Sequence, residues 1–282
     1  MNPTAAPSAP APRTRSREHH RVPAWRWIIF AAALIYFVGP LIAAFKYSLI
    51  DQHGHYNFHN YAQIVSNSAV RSSLYISLEI AIIAAVFVVV LMLPTVVLVR
   101  LRLPRFTTVL EGVTILPIVI PPVVIAAGME EMQGHAPHWV VSALFNHPLT
   151  GLTPFYVILA LPFTYRALDN GLRAIDLRTL TDASRSLGAS WLLTLARVVL
   201  PNVLTAVLGA MFLTIALCLG EVVISTLMLY TTLPVEMIAI SKSSAGVSVA
   251  ISLLALIFTF VLLFVLSTLA GHRRGSATVR VI

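Results

Sequence analysis

The chain of 282 residues is 58% hydrophobic and only 11% charged, with a mean hydropathy of +0.87. Soluble domains carry about 25% charged residues, so an ordinary water-soluble fold is excluded and an all-α membrane protein is expected. The single cysteine, Cys218, lies in an apolar run, which excludes an intrachain disulfide and any metal site built on several cysteines.

Residues 1–24, rich in Pro, Ala, Ser and Arg and without apolar periodicity, read as a disordered basic tail. The apolar run 27–50 is too long for the core of a signal peptide and no clear cleavage site follows it, so it reads as a span that stays. A bilayer core is crossed by roughly 20 apolar residues. On that measure further spans follow at 74–99, 109–127, 149–168, 202–223 and 247–270. The span at 149–168 carries Pro154 and Pro162, which membrane helices accept where neighbours or water satisfy the freed backbone groups. The expected architecture is six transmembrane helices in a membrane domain over 25–271, with a second tail at 272–282.

Orientation follows from the placement of Lys and Arg. Basic residues crowd the first tail (Arg13, Arg15, Arg17, Arg21, Arg26) and the second connection (Arg100, Arg102, Arg105). They also crowd the fourth connection with the span end before it (Arg166, Arg173, Arg178, Arg185, Arg197) and the last tail (Arg273, Arg274, Arg280). Only Lys46, Arg71 and Lys242 fall on or near the other side. Both termini are therefore expected in the cytoplasm, N-in and C-in. The net charge of +8 is a topology signal and not a footprint for nucleic acid.

Three connections are expected on the outer side. The first, 51–61, is polar and aromatic; its His53, His55 and His59 fit no standard metal cluster, and no metal site is assigned. The second, 128–151, carries Glu130 and Glu131 and has room for a short interfacial helix at 137–145. The third, from about 224 to 246, includes Thr-Leu-Pro-Val-Glu-Met and is apolar enough to re-enter the membrane where other protein covers it.

Enzymatic apparatus is not visible. A phosphate-binding loop needs Gly-Lys-Ser/Thr, but Lys46 follows Phe45 and Lys242 follows Ser241. His-Glu-x-x-His and Gly-x-Ser-x-Gly are also missing. Acidic residues inside spans are costly and mark function or helix pairing. Glu79 lies near the outer end of the second span, and Glu221 near the outer boundary of the fifth. Each is either an interfacial or helix-pairing carboxylate, or part of a route for a polar or cationic solute. Pro117, Pro121 and Pro122 interrupt the third span, which makes it either a hinge or gate or a static kink.

The most informative stretch runs from Asp182 to Pro201: DASRSLGASWLLTLARVVLP. It is a polar segment set between two apolar runs, with Gly188 placed where a backbone free of Cβ can turn between two helices. Small Ala183 and Ser184 allow close contact with a partner surface, and Pro201 suits the first turn of a new helix.

Asp182-Ala183-Ser184, three residues, Gly188, nine residues, Val198, one residue and Leu200-Pro201 keep the spacing of a known pattern: Glu-Ala-Ala, Gly, Ile and Leu-Pro. The stretch resembles the cytoplasmic coupling loop of the membrane subunits of type I ABC importers. The segments LPIVIPPVVIAAG, LPFTYRAL, LGEVVIS and TLPVEM look like the spermidine/putrescine branch of those permeases. Asp for Glu, Ser for the second Ala and Val for Ile are conservative departures. The resemblance implies a permease with a coupling loop at 169–201, in a bacterial cytoplasmic membrane. It implies pairing with a second, homologous permease subunit, two ATP-binding subunits that hold ATP and Mg, and an extracytoplasmic substrate-binding protein. No cofactor is implied in this chain itself. Substrates of related systems include polyamines, aminophosphonates, ferric iron and, less in keeping with Leu187-Gly188-Ala189, sugars. The rival class is an ATP-independent channel or secondary transporter, for which paired broken helices or an inverted repeat would speak.

Overall fold

The computed structural model describes residues 24–51 and 54–276. The tail at 1–23, Gln52, His53 and residues 277–282 lie outside the described residues. The chain divides into two compact units, Met1–Ala43 and Ala44–Ile282. The described residues are helical throughout apart from turns and one isolated bridge, Ile50 to Tyr56. The expected all-α class is what is observed.

Helix α1 (Ala24–Ser48) carries Pro40 and is long and apolar enough to cross a membrane. The chain then turns through Gly54 (φ +82°) into α2 (His59–Ser66). Buried Asn60 of α2 donates from Nδ2 to the carbonyls of Ser48 (2.8 Å) and Ile50 (2.9 Å). Gly246 lies against this amide; a Cβ there would stand 2.6 Å from Asn60 Nδ2.

Asn67 caps α3 (Ser68–Arg102), accepting from the Ala69 amide at 2.9 Å and the Val70 amide at 3.3 Å. At 1.5 Å per residue α3 is about 50 Å long, longer than a hydrocarbon core of roughly 30 Å is thick. Its buried residues Ser77, Ile80, Ala81, Ala84, Val88 and Met92 recur at helical spacing and form one stripe.

The expected third span is not one straight helix. It is α4 (Thr107–Val119) and α5 (Pro122–His135), bent by 92°. Ile120 is extended (ψ 119°), the conformation that a residue before proline prefers, and Pro121 follows it with ψ 138°. Pro117, by contrast, is accommodated inside α4. The short helix expected at 137–145 is present as α6 (His138–Phe145), which meets α7 (Pro148–Arg173) at 79°. Helix α7 runs unbroken through Pro154 and Pro162 and continues five residues past the expected span end at 168.

Beyond α7 come α8 (Leu177–Ser186), α9 (Trp191–Thr194), a π-helical turn (Leu195–Val199) and α10 (Leu200–Asn202). An 84° bend at Val203 leads into α11 (Leu204–Gly220). The region from 224 to 246 holds two short helices, α12 (Val223–Leu227) and α13 (Leu233–Ser241). Finally α14 (Ala245–Ser276) extends into the region expected to be a tail. Among the described residues, two helices are long and apolar enough to cross a membrane by themselves, or up to five spans if each bent pair counts as one.

The core is the mutual packing of α3, α7 and α11, with α4 against α7 and α13 against α3 and α14. Ala84 and Val88, Tyr156 and Ala160, and Val207 and Ala210 meet in one buried cluster. Val70, Leu233, Val247 and Ile251 form a second. Small side chains let the backbones approach closely, which is how helices gain contact in lipid. Helices α7 and α11 meet closely at Gly171, where a Cβ would collide with the methyl of Ala206 on α11. Gly171→Val should therefore cost about 1–3 kcal/mol through overpacking. A lowered thermal midpoint in detergent, with Gly112→Val in open space as the control, checks this.

Candidate functional site

The polar connection from α7 to α11 folds as the helix–turn–helix that the sequence suggests, although its first residues belong to α7. Residues 169–173 are helical, so the connection begins at Ala174. Asp176 caps α8: its carboxylate accepts from the Thr179 hydroxyl (2.8 Å) and the Thr179 amide (3.2 Å). The hydroxyl bond first and the amide bond second favour the ionised form and hold this carboxyl below the usual aspartate range. The cap is therefore present above the ordinary aspartate pKa and lost as pH falls through the lowered one.

Leu177, Thr181 and Ser184 face inward on α8, and the buried Ser184 Oγ lies 3.0 Å from the buried Thr194 Oγ1 of α9. Asp182, Ala183 and Leu187 are left on the exposed side. The helix ends with bonds from the Gly188 amide to the Arg185 carbonyl (2.9 Å) and from Ala189 to Ser184 (3.2 Å). Gly188 itself is left-handed, φ +83°, with open space where a Cβ would be. Its requirement is conformational and not steric. Ser190 Oγ then accepts from the Leu193 amide at 3.4 Å to start α9. Leu187 and Leu192, 89% and 73% exposed, flank the turn as a small apolar face.

As the sequence suggests, Pro201 falls in the first turn of a new helix, though a short one ahead of the following span. It sits in α10, continuous with the π-helical turn and ahead of the bend at Val203. Proline cannot donate to the fourth residue before it and crowds that carbonyl. The turn widens just before Pro201: the Leu200 amide reaches back five residues, to Leu195. Such bulges are a common answer to this crowding. Asn202 Nδ2 donates to the Val198 carbonyl at 2.7 Å.

Two polar clusters flank α7, of whose acidic members the sequence singled out only Glu221. Near its end, buried Asp169 accepts from Arg100 of α3 through Nε (2.8 Å) and Nη2, and from Arg173 Nε (2.9 Å). About 20 Å back along the helix, Tyr156 reaches the end of α11. Its hydroxyl lies 2.7 Å from Ser225 Oγ and donates to Glu221 Oε2 at 3.3 Å.

Glu221 caps α12. Oε1 accepts from the Ile224 amide at 2.8 Å, while Oε2 accepts from the Ser225 amide (3.3 Å) and Ser225 Oγ (3.2 Å). Of the two roles open for Glu221, the helix-pairing one is thus directly visible. Its carboxylate also borders an apolar cavity of about 480 Å³, whose walls include Pro117, Pro122, Tyr156 and Phe163. The structure therefore brings Pro122 and Glu221 together. Pro121 forms the bend beside the cavity without lining it, and Glu79 is exposed on α3 and does not line it either.

Comparison with protein families and with curated proteins returned no match. The geometry therefore carries the functional argument. It supplies an exposed helix–turn–helix at one end of α7 and a bent, carboxylate-bordered cavity at the other. Asp169 had a sequence signal, being an acid one turn inside a helical apolar run, but its assignment to the loop hid it. Tyr156 and Ser225 had none.

The capping role of Glu221 is open to measurement. Tyr156→Phe deletes one hydroxyl and should cost about 1–2 kcal/mol. Glu221→Gln turns one acceptor oxygen into a donor facing other donors, and should lower the thermal midpoint in detergent further than Tyr156→Phe does. Wild-type stability of Glu221→Gln would remove the cap from the account.

Proposed function

We propose that the chain is a membrane-spanning permease subunit of a type I ABC importer, forming half of a translocation path and coupling to a separate ATPase. The observation that carries this reading is the α8–Gly188–α9 element. With Leu200-Pro201 of α10, its Asp182-Ala183-Ser184 and Gly188 keep the spacing of the pattern, and Gly188 adopts a left-handed turn. In this reading α1, α3, the α4–α5 pair, α7, α11 and α14 are the six spans. Both termini and α8 lie on the cytoplasmic side of a bacterial cytoplasmic membrane, in keeping with the basic residues. The exposed Asp182, Ala183, Leu187 and Leu192 meet one of two ATP-binding subunits, where ATP and Mg are bound. A second homologous permease completes the path, and an extracytoplasmic binding protein delivers a small polar or cationic solute. A polyamine is the substrate to test first; an aminophosphonate, ferric iron or a sugar are the others. This chain carries no catalytic residue in the scheme.

Purification of the tagged chain in mild detergent from its native membrane, with mass spectrometry of the proteins that accompany it, tests the reading. A P-loop ATPase is expected, and its loss is expected when Asp182 and Gly188 are altered. Recovery of the chain alone, active for flux in liposomes without ATP, would make it a channel or secondary transporter instead.

The turn gives a finer expectation. Because the space around Gly188 is open, Gly188→Asn, which tolerates the left-handed region, should keep most coupled transport. Gly188→Val, strained there by about 1–2 kcal/mol, should uncouple it at equal membrane abundance. Equal transport by both variants would count against the coupling role. Uptake of labelled spermidine that survives deletion of the subunit would remove polyamine as substrate.

A further inference from the structure

The two oxygens of Asp169 are committed to different helices. Oδ1 accepts from Arg100, in the last turn of α3, through both Nε and Nη2, while Oδ2 accepts from Arg173, at the end of α7 itself. The carboxylate is one-tenth exposed and the Arg100 side chain 21%, whereas Arg173 is 65% exposed. The interhelical half of the triad is therefore the shielded half, where charge pairing is least screened.

The link from α7 to α8 has little slack. Three residues, 174–176, separate Arg173 from α8. They are tied by the Ala174 amide to the Gly171 carbonyl (3.2 Å), by the Leu177 amide to Ile175 (3.0 Å), and by the Asp176 cap. On its far side, α8 packs against α9 and the π-helical turn. The position of α8 thus depends on where the end of α7 is held, and Arg100 holds it to α3.

We propose that Asp169 is a positioning residue for coupling: its bond to Arg100 makes α8 and the cytoplasmic end of α3 move as one body. Displacement of α8 by a docked ATPase then reaches the α3–α7–α11 core through this carboxylate. The transport arm of this inference rests on the importer reading, but its mechanical arm does not.

The mechanical arm is tested on the full chain in lipid nanodiscs. Spin labels are placed at the exposed positions 102 and 186 (Arg102→Cys, Ser186→Cys) in a Cys218→Ala background. The parent should give one narrow distance distribution, and Asp169→Asn and Arg100→Gln should both broaden it. Arg173→Gln, on the same helix as Asp169, should leave it narrow. The charge swap Asp169→Arg with Arg100→Glu should narrow it again, where Asp169→Arg alone does not. Packing damage unrelated to the ion pair would not be rescued by reversing the charges.

In proteoliposomes with the co-purified ATPase, Asp169→Asn should retain ATP hydrolysis while transport per ATP falls about tenfold, and the swap should restore it. An unchanged distribution in Asp169→Asn and Arg100→Gln, equal broadening by Arg173→Gln, or failure of the swap would each overturn the proposal. If no ATPase accompanies the chain, the importer reading fails, and the distance distributions still decide the joint.

Discussion

Helices in hydrocarbon gain nothing from expelling water, so their association depends on how closely their backbones meet. That constraint shapes this chain. Ala81, Ala84 and Ala85 on α3, Ala160 and Gly171 on α7, and Ala206 and Ala210 on α11 sit where the three helices converge. Larger residues such as Ile80, Leu152 and Leu168 fill the space between these points and are themselves fully buried. The trio is the frame on which the other helices are placed.

Polar contacts sit at the two ends of that frame and hardly at all between them. One end has the Asp169 carboxylate between two guanidinium groups; the other has Glu221, Tyr156 and Ser225 closing the first turn of α12. Between them the buried polar groups are mostly hydroxyls that return to their own helix, as Thr214 does to the Ala210 carbonyl at 2.9 Å. Mid-depth charge is expensive in a bilayer, so specific pairing is confined to depths where water or partner groups are near. The arrangement leaves one end of α7 leading into the exposed helix–turn–helix and the other bordering a cavity.

Much of this was legible in the sequence. Apolar run lengths located the helices, and the Gly188 spacing located the turn, because both depend on local rules of hydrogen bonding and backbone freedom. The failures are equally physical. Three prolines in the third span announced a break, and the break is there, but its right angle was not foreseen because apolar length says nothing about direction. Pro154 and Pro162 carry the same residue type and leave α7 unbroken. Pro201 does fall in the first turn of a helix, the short α10, but the π-helical turn that precedes it has no local sequence signature. The Arg100–Asp169 pair joins residues 69 apart in sequence, and no local pattern encodes a partner at that distance. For Glu221 the residue was visible in advance, but its bonding to α12 and Tyr156 required the fold.

The right-angle break between α4 and α5 also bears on how the protein is made. Helix α4 has 13 residues, about 20 Å of helix, and hydrocarbon thickness is roughly 30 Å. Neither limb of the broken pair is a self-sufficient insertion signal when it leaves the ribosome. Helix α3, complete and strongly apolar, emerges before them, and α7, the principal contact of α4, emerges after. The broken segment therefore lacks its main packing partner until α7 arrives. Biogenesis of this chain is consequently least secure during the synthesis of α5 and α6, the interval in which membrane chaperones have the most to protect.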